Sequence, residues 1–300
     1  MYYLTLVSSE TDKPLTAGHL AEAENRLDID KVAIIKQPEW LSKHKAADIA
    51  LSSYLTEEQL ASMKNIFAAD KIDVFCTDAE NRKKKLLLAD MDSTIVTSET
   101  LDEIASYAGI KHQIAAITER AMNGELDFEE ALKERVALLK DLPAEKLQET
   151  LNDTVMTKGA EIFVRTMRKH GAICVLVSGG FTFFTGAIAQ QAHFHYHHGN
   201  VLEVKDGKLT GTVEEPILDK NAKLRALKEY LDEMGLDVSQ ALTIGDGAND
   251  LPMLKAAGLG IGFHPKPVVK EELSNIIEFG DLTAALYMQG YKDEDFIQIT

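Results

Sequence analysis

The chain has 300 residues, 45% of them apolar and 27% charged, which suits a globular protein of roughly two domains. It carries 32 basic and 48 acidic residues, a net charge of −16, which argues against a nucleic-acid binder, because phosphate-backbone affinity comes from clustered Lys and Arg. No run reaches the roughly 18 apolar residues of a membrane span, and an anionic ligand must be drawn in locally, by a metal ion or a few placed cations.

Residues 1–80 read as a unit of their own. "YYLTLVS" predicts a strand and "TAGHLAEAENRL" a helix. "KVAIIKQ" and "ADIALSS" predict strands, "TEEQLASMKNIFAAD" a helix opened by Thr56, and "KIDVFCT" a last strand. The order βαββαβ predicts an antiparallel sheet with two helices on one face. Residues 81–85, which hold the basic run Arg82 to Lys85, read as a solvated linker. The two cysteines, Cys76 and Cys174, each lie in an apolar run, and the N-terminus shows no signal-peptide pattern. Reduced thiols and a cytoplasmic protein are expected.

Residues 86–300 read as a second domain. The runs "LLLA" (86–89), "AICVLV" (172–177), "ALTI" (241–244) and "GLGIGF" (258–263) look like buried parallel strands. Helical patterns between them end on Gly171 and Gly235. This alternation predicts a doubly wound α/β sheet. Residues 98–157 interrupt it with amphipathic helices and read as a helical cap inserted after the first strand. "NVLEVKDGKLTGTVEE" predicts a hairpin turning at Asp206-Gly207. "HFHYHH" at 193–198 reads as a surface strand, with a metal site on His193, His195 and His197 as the lesser alternative.

Ligands of an open α/β sheet bind outside the carboxyl ends of its strands. The first run ends in Asp90 and Asp92, the second in Ser178-Gly179-Gly180, the third in "GDGAND" with Asp246, Asn249 and Asp250. Carboxylates gathered there repel one another unless a cation sits among them, and an all-oxygen ligand set suits Mg²⁺. A carboxylate near that ion can attack phosphorus. A second can act as general acid and then base, provided its pKa rises from about 3.9. The Ser178 hydroxyl and the backbone N–H groups of Gly179 and Gly180 suit phosphoryl oxygens.

"DMDST", "SGG" and "GDGANDLPML", spread over roughly residues 86–265, resemble the haloacid dehalogenase superfamily and, within it, the phosphoserine phosphatase family. The resemblance implies an α/β sheet with an inserted cap, Asp90 as nucleophile and Asp92 as acid/base. It implies Mg²⁺ held by Asp90, the backbone carbonyl of Asp92 and Asp246, with Asp250 supporting that shell. Lys223 of "DKNAKLRAL" would neutralise the phosphoryl group, Lys220 being the competing candidate, and Asn249 would contact phosphate. In the cap, the pattern assigns the substrate's ammonium to Glu99, its carboxylate to Arg135, and an apolar wall to Met122 and Phe128. The implied reaction is hydrolysis of O-phospho-L-serine to L-serine and phosphate through an aspartyl-phosphate, the last step of serine biosynthesis. The alternatives are a phosphatase or phosphotransferase acting on another small phosphomonoester, such as phosphohomoserine, or a serine-sensing regulatory protein. Residues 1–80 resemble the ACT family only in their element order, which implies L-serine binding or homodimer formation there.

Overall fold

The computed structural model describes residues 1–9, 13–122, 126–219 and 221–299, with the backbone alone at 119, 121 and 122. The first unit contains β1 (Tyr2–Ser8), α1 (Ala17–Ile29), β2 (Glu39–Ser42), β3 (Ala46–Leu51), α2 (Glu57–Phe67) and β4 (Ile72–Asp78). Its strands pair antiparallel in the order β2-β3-β1-β4. Thr16 and Thr56 open the two helices, each accepting a hydrogen bond from the backbone N–H three residues on. Alternation along the strands sends Leu4, Leu6, Ile49, Val74 and Cys76 toward Leu27, Leu60 and Phe67 of the helices. The interleaved Val7 and Phe75 join the main core of the molecule instead.

Two expectations for this unit need correction. "KVAIIKQ" is not the second strand, because Ile34 makes only an isolated bridge to Leu51 and the ladder with β3 forms at Glu39–Ser42. Pro38 lies between the two segments and has no N–H to give a ladder. Residues 81–85 are not simply solvated either. The Arg82 guanidinium is buried against Asp48, with bonds of 2.6 and 2.8 Å to its two oxygens, and stacks over Tyr3. Arg82 Nε also donates to the Met288 carbonyl at 3.0 Å, and Lys84 Nζ to the Ser239 carbonyl at 2.6 Å. Composition alone made these cations look solvated; the burial comes from a C-terminal segment folding back over them. Asp73 of β4 completes the joint by accepting the backbone N–H groups of Glu278, Phe279 and Gly280. Arg82→Ala would leave the Asp48 carboxylate buried without its charge partner. It is expected to destabilise the protein by about 3 kcal/mol, read as a lower denaturant midpoint; an unchanged midpoint would show that the pair contributes nothing to stability.

The second unit is built on β5 (Leu86–Ala89), β6 (Ile173–Phe181), β7 (Tyr196–Asn200), β10 (Ala241–Gly245), β11 (Leu259–Phe263) and β12 (Ile276–Ile277), with a separate hairpin of β8 (Leu202–Lys205) and β9 (Lys208–Val213). The six-stranded sheet runs β12-β11-β10-β5-β6-β7 and is parallel throughout. Helices α7 (Ala160–Lys169), α8 (Thr182–Ala192) and α12 (Ala284–Met288) cover one face, which buries Leu87, Ala89, Cys174 and Leu176. Helices α9 (Ala222–Met234), α10 (Leu251–Ala256) and α11 (Pro267–Glu272) cover the other, over Leu86, Leu88, Val175 and Val177. Burial on both faces is why these strands read as unbroken apolar runs. Of the His-rich segment, Tyr196, His197 and His198 lie in β7, the partly exposed edge strand of this sheet, as a surface-strand reading expects, while residues 193–195 precede it. His193 ends α8 in a left-handed conformation, and His198 bonds Tyr230, so the histidines do not converge on one point.

The cap comprises α3 (Thr100–Tyr107), α4 (Lys111–Met122), α5 (Phe128–Ala137) and α6 (Glu145–Asp153). Its two stalks run side by side, with Thr97 N–H bonding Val155 and Thr157 N–H bonding Ile95. The predicted hairpin forms, with Asp206 and Gly207 both at positive φ (51° and 75°) as a type I′ turn requires. Its tip braces the cap, because Asp141 N–H bonds Leu209 and Ala144 N–H bonds Gly207. Among the described residues no helix is long and apolar enough to cross a membrane.

Candidate active site

Strand register assembles the site. Ala89 of β5 lies beside Leu176 of β6 and Ile244 of β10. Asp90 and Asp246 therefore follow the ends of β5 and β10 at about the level of Ser178, which lies in β6 where its register with β7 breaks after Val177. Asp90 N–H still bonds the Ile244 carbonyl at 3.0 Å, so the ladder holds up to the first carboxylate. The chain then turns tightly through residues 91–95, with Ser93 at φ 53°, and Asp92 meets Thr100 at the start of the cap and Ser178 of β6.

Asp90, Asp92, Glu99, Phe128, Arg135, Ser178, Gly179, Gly180, Asp246 and Asn249 line one cleft of about 150 Å³. That is below the ~300–1,000 Å³ typical of drug-sized ligand sites, so a small polar metabolite suits it. Lys223 lies beneath, its Nζ 2.6 Å from Asp90 Oδ1 and 2.5 Å from Asp250 Oδ1. Asp90 Oδ1 also accepts the Met91 N–H at 2.8 Å. Asp92 Oδ1 accepts the Thr100 N–H at 2.9 Å, and its Oδ2 accepts the Ser178 hydroxyl at 3.3 Å. Ser178 Oγ in turn accepts the Gly180 N–H at 2.8 Å. Across the cleft, Glu99 Oε1 accepts the Ser93 hydroxyl at 2.8 Å. Arg135 Nε caps the Ala131 carbonyl of its own helix at 3.1 Å. The Phe128 ring lies on Gly179, where an added Cβ would sit 3.0 Å from its Cζ and push the ring back by a few tenths of an ångström.

Burial dominates the electrostatics. It pushes Asp92 up to about 6, helped by the Glu99 charge, so this carboxyl can hold a proton near neutral pH. Burial, and then the Asp250 charge, also raise Asp90, while Lys223 pulls it back. Burial alone would lower Lys223, but Asp250 and Asp90 together hold it above its ordinary value. One ammonium thus serves two buried carboxylates.

Asp90, Asp246 and Asp250 each place a carboxylate oxygen within 4.8 Å of the others, the donor chemistry of a hard divalent cation. Asp250 is already committed, with Oδ1 on Lys223 and Oδ2 on the N–H groups of Asp246 and Gly247 at 3.1 and 3.0 Å. It braces the cluster, which leaves Asp90 and Asp246 with oxygen to offer.

Met122 ends α4, and its side chain, like all of Lys220, lies outside the described residues. The sequence reading missed Thr100, Leu101, Leu132, Phe181 and Lys266, which also line the cleft. Lys266 follows the carboxyl end of β11, so the strand-end rule that found the other clusters applies to it too.

A doubly wound sheet with this carboxylate arrangement and an inserted cap defines a phosphotransfer-type hydrolase fold, and residues 87–255 match the family model of the haloacid dehalogenase-like hydrolases. The chain belongs to that family. It is 43% identical over 205 residues to the phosphoserine phosphatase of Methanocaldococcus jannaschii, covering 68% of this chain and 97% of the relative. A solved substrate-bound phosphoserine phosphatase complex aligns at TM-score 0.64 and 43% identity, over 68% of this chain and 97% of the other. A haloacid dehalogenase-family hydrolase of Salmonella enterica serovar Typhi aligns over 98% of this chain and 99% of its own, at TM-score 0.82 and 26% identity.

Proposed function

We infer that the protein is a phosphatase that hydrolyses O-phospho-L-serine to L-serine and phosphate. The observation that carries this is one cleft holding Asp90 over Lys223, with Glu99 and Arg135 on the cap side. A zwitterion bearing a phosphate has three handles, and this cleft offers a partner for each: Lys223 and the Ser178 loop for phosphate, Arg135 for carboxylate, Glu99 for ammonium. The similarity to phosphoserine phosphatases supports the same substrate.

In the proposed reaction, Asp90 Oδ2 attacks phosphorus while Met91 N–H and Lys223 hold Oδ1. The bond from phosphorus to the serine oxygen breaks, and protonated Asp92 delivers its proton to that oxygen. Serine leaves, and Asp90 carries the phosphoryl group as an acyl phosphate. Asp92, now ionised, takes a proton from a water that attacks phosphorus, which frees phosphate and restores both carboxyl groups. The Ser178 hydroxyl and Asn249 bind phosphoryl oxygens, and the Phe128 wall keeps bulk water out. Mg²⁺ fits the donor set of Asp90, Asp246 and the Asp92 carbonyl, and when bound it supplies positive charge against the repulsion between phosphate and carboxylate.

Arg135→Ala is expected to lower kcat/KM for phosphoserine by about 100-fold and for an aryl phosphate lacking a carboxylate by much less. Equal losses on both would refute the substrate assignment. For the first 80 residues, L-serine binding or self-association is supported by the βαββαβ order alone.

A further inference from the structure

Lys266 has no part in the reaction above, yet the fold fixes it beside two acidic groups that do. Its backbone N–H donates to the Asp246 carbonyl at 2.9 Å. It stands between Pro265 and Pro267, whose rings restrict the local backbone. Its Nζ lies 3.3 Å from Asp246 Oδ2 and 3.8 Å from Glu99 Oε1. Asp246 directly follows β10 of the sheet and Glu99 opens the first cap helix, so one ammonium spans body and cap. The backbone is pinned, but the side chain is half exposed, and its flexible stem can swing into water.

We propose that Lys266 is a displaceable internal cation that couples metal binding at Asp246 to ammonium binding at Glu99. This rests on the roles of those two residues given above. With neither ligand bound, Lys266 offsets both negative charges. A divalent ion on Asp246 repels the ammonium, and a substrate ammonium on Glu99 replaces it. Whichever ligand arrives first bears the cost of freeing Lys266, and the second binds to a site already cleared. Such coupling is reciprocal: each ligand tightens the other by the same factor. It would also favour substrates with an ammonium group over simple phosphate esters, because only the former completes the exchange.

The test is calorimetric titration of MgCl₂ into the wild-type protein and Lys266→Met, each with and without saturating L-serine. The wild type is expected to bind Mg²⁺ about 5-fold more tightly with serine present. Lys266→Met is expected to reach the tighter affinity without serine and to gain nothing from it, whereas Lys266→Arg keeps the charge and the serine effect. Equal Mg²⁺ affinity in wild type and Lys266→Met, absence of a serine effect in the wild type, or one that persists in Lys266→Met, overturns the role of Lys266 and leaves the metal reading standing. No Mg²⁺ uptake by the wild type overturns both.

Discussion

Asp90→Asn is expected to abolish turnover, by on the order of 10⁴-fold or more, while leaving the fold intact. An amide is isosteric with the carboxylate but cannot form a stable acyl phosphate, so the loss falls on chemistry rather than on binding. The stability side follows from the neighbours. Burial and the Asp250 charge both oppose ionisation of Asp90, so removing its charge relieves repulsion, while Lys223 keeps Asp250 at 2.5 Å. The melting temperature should therefore move by no more than about 3 °C. Mass spectrometry of acid-quenched enzyme should find a phosphorylated Asp90 peptide in the wild type and none in the variant. Residual turnover within tenfold of wild type would show that another group attacks phosphorus.

Lys223→Met is expected to damage stability and activity together. The lysine side chain is 7% exposed, and its partners Asp90 and Asp250 are 6% and 0% exposed. Removing the one ammonium strands two buried carboxylates a short distance apart, which costs about 3–5 kcal/mol and lowers the melting temperature by roughly 10 °C. Methionine fills the space of the stem, so the loss reflects charge rather than a cavity. Added Mg²⁺ should recover part of the loss, and by more than it stabilises the wild type, because the ion would then stand in for the positive charge that Asp90 and Asp250 lose with Lys223. A melting temperature unchanged from wild type would mean that the carboxylates do not depend on Lys223. This pairs with the Asp90→Asn result: one substitution deletes a negative charge from the cluster and the other a positive charge, and only the second should unfold the protein readily.

The strand-end rule located Asp90, Ser178, Asp246 and Asn249 because it needs only the boundary of an apolar run, and local pattern marks that boundary well. Lys266 obeys the same rule and was missed because a lone lysine between prolines carries no chemistry in isolation. The cap residues Glu99, Phe128 and Arg135 were legible only through family spacing, since amphipathic helices carry such residues routinely. The structure brings them onto the cleft because the stalks at Ile95–Thr97 and Val155–Thr157 pair, and because the hairpin tip holds the far end of the cap.

The Thr16 and Thr56 helix starts, the apolar runs of the parallel sheet and the Asp206-Gly207 turn were written in the chain, because each depends on residues a few positions apart. The joint between the two sheets was not. Arg82 and Asp48 are separated by 34 positions, and Asp73 meets the backbone of residues 278–280 across more than 200. No local pattern announces such meetings. Charged residues look alike in sequence whether they end in water or in a buried pair, and burial, which sets their energy, is a property of the folded whole.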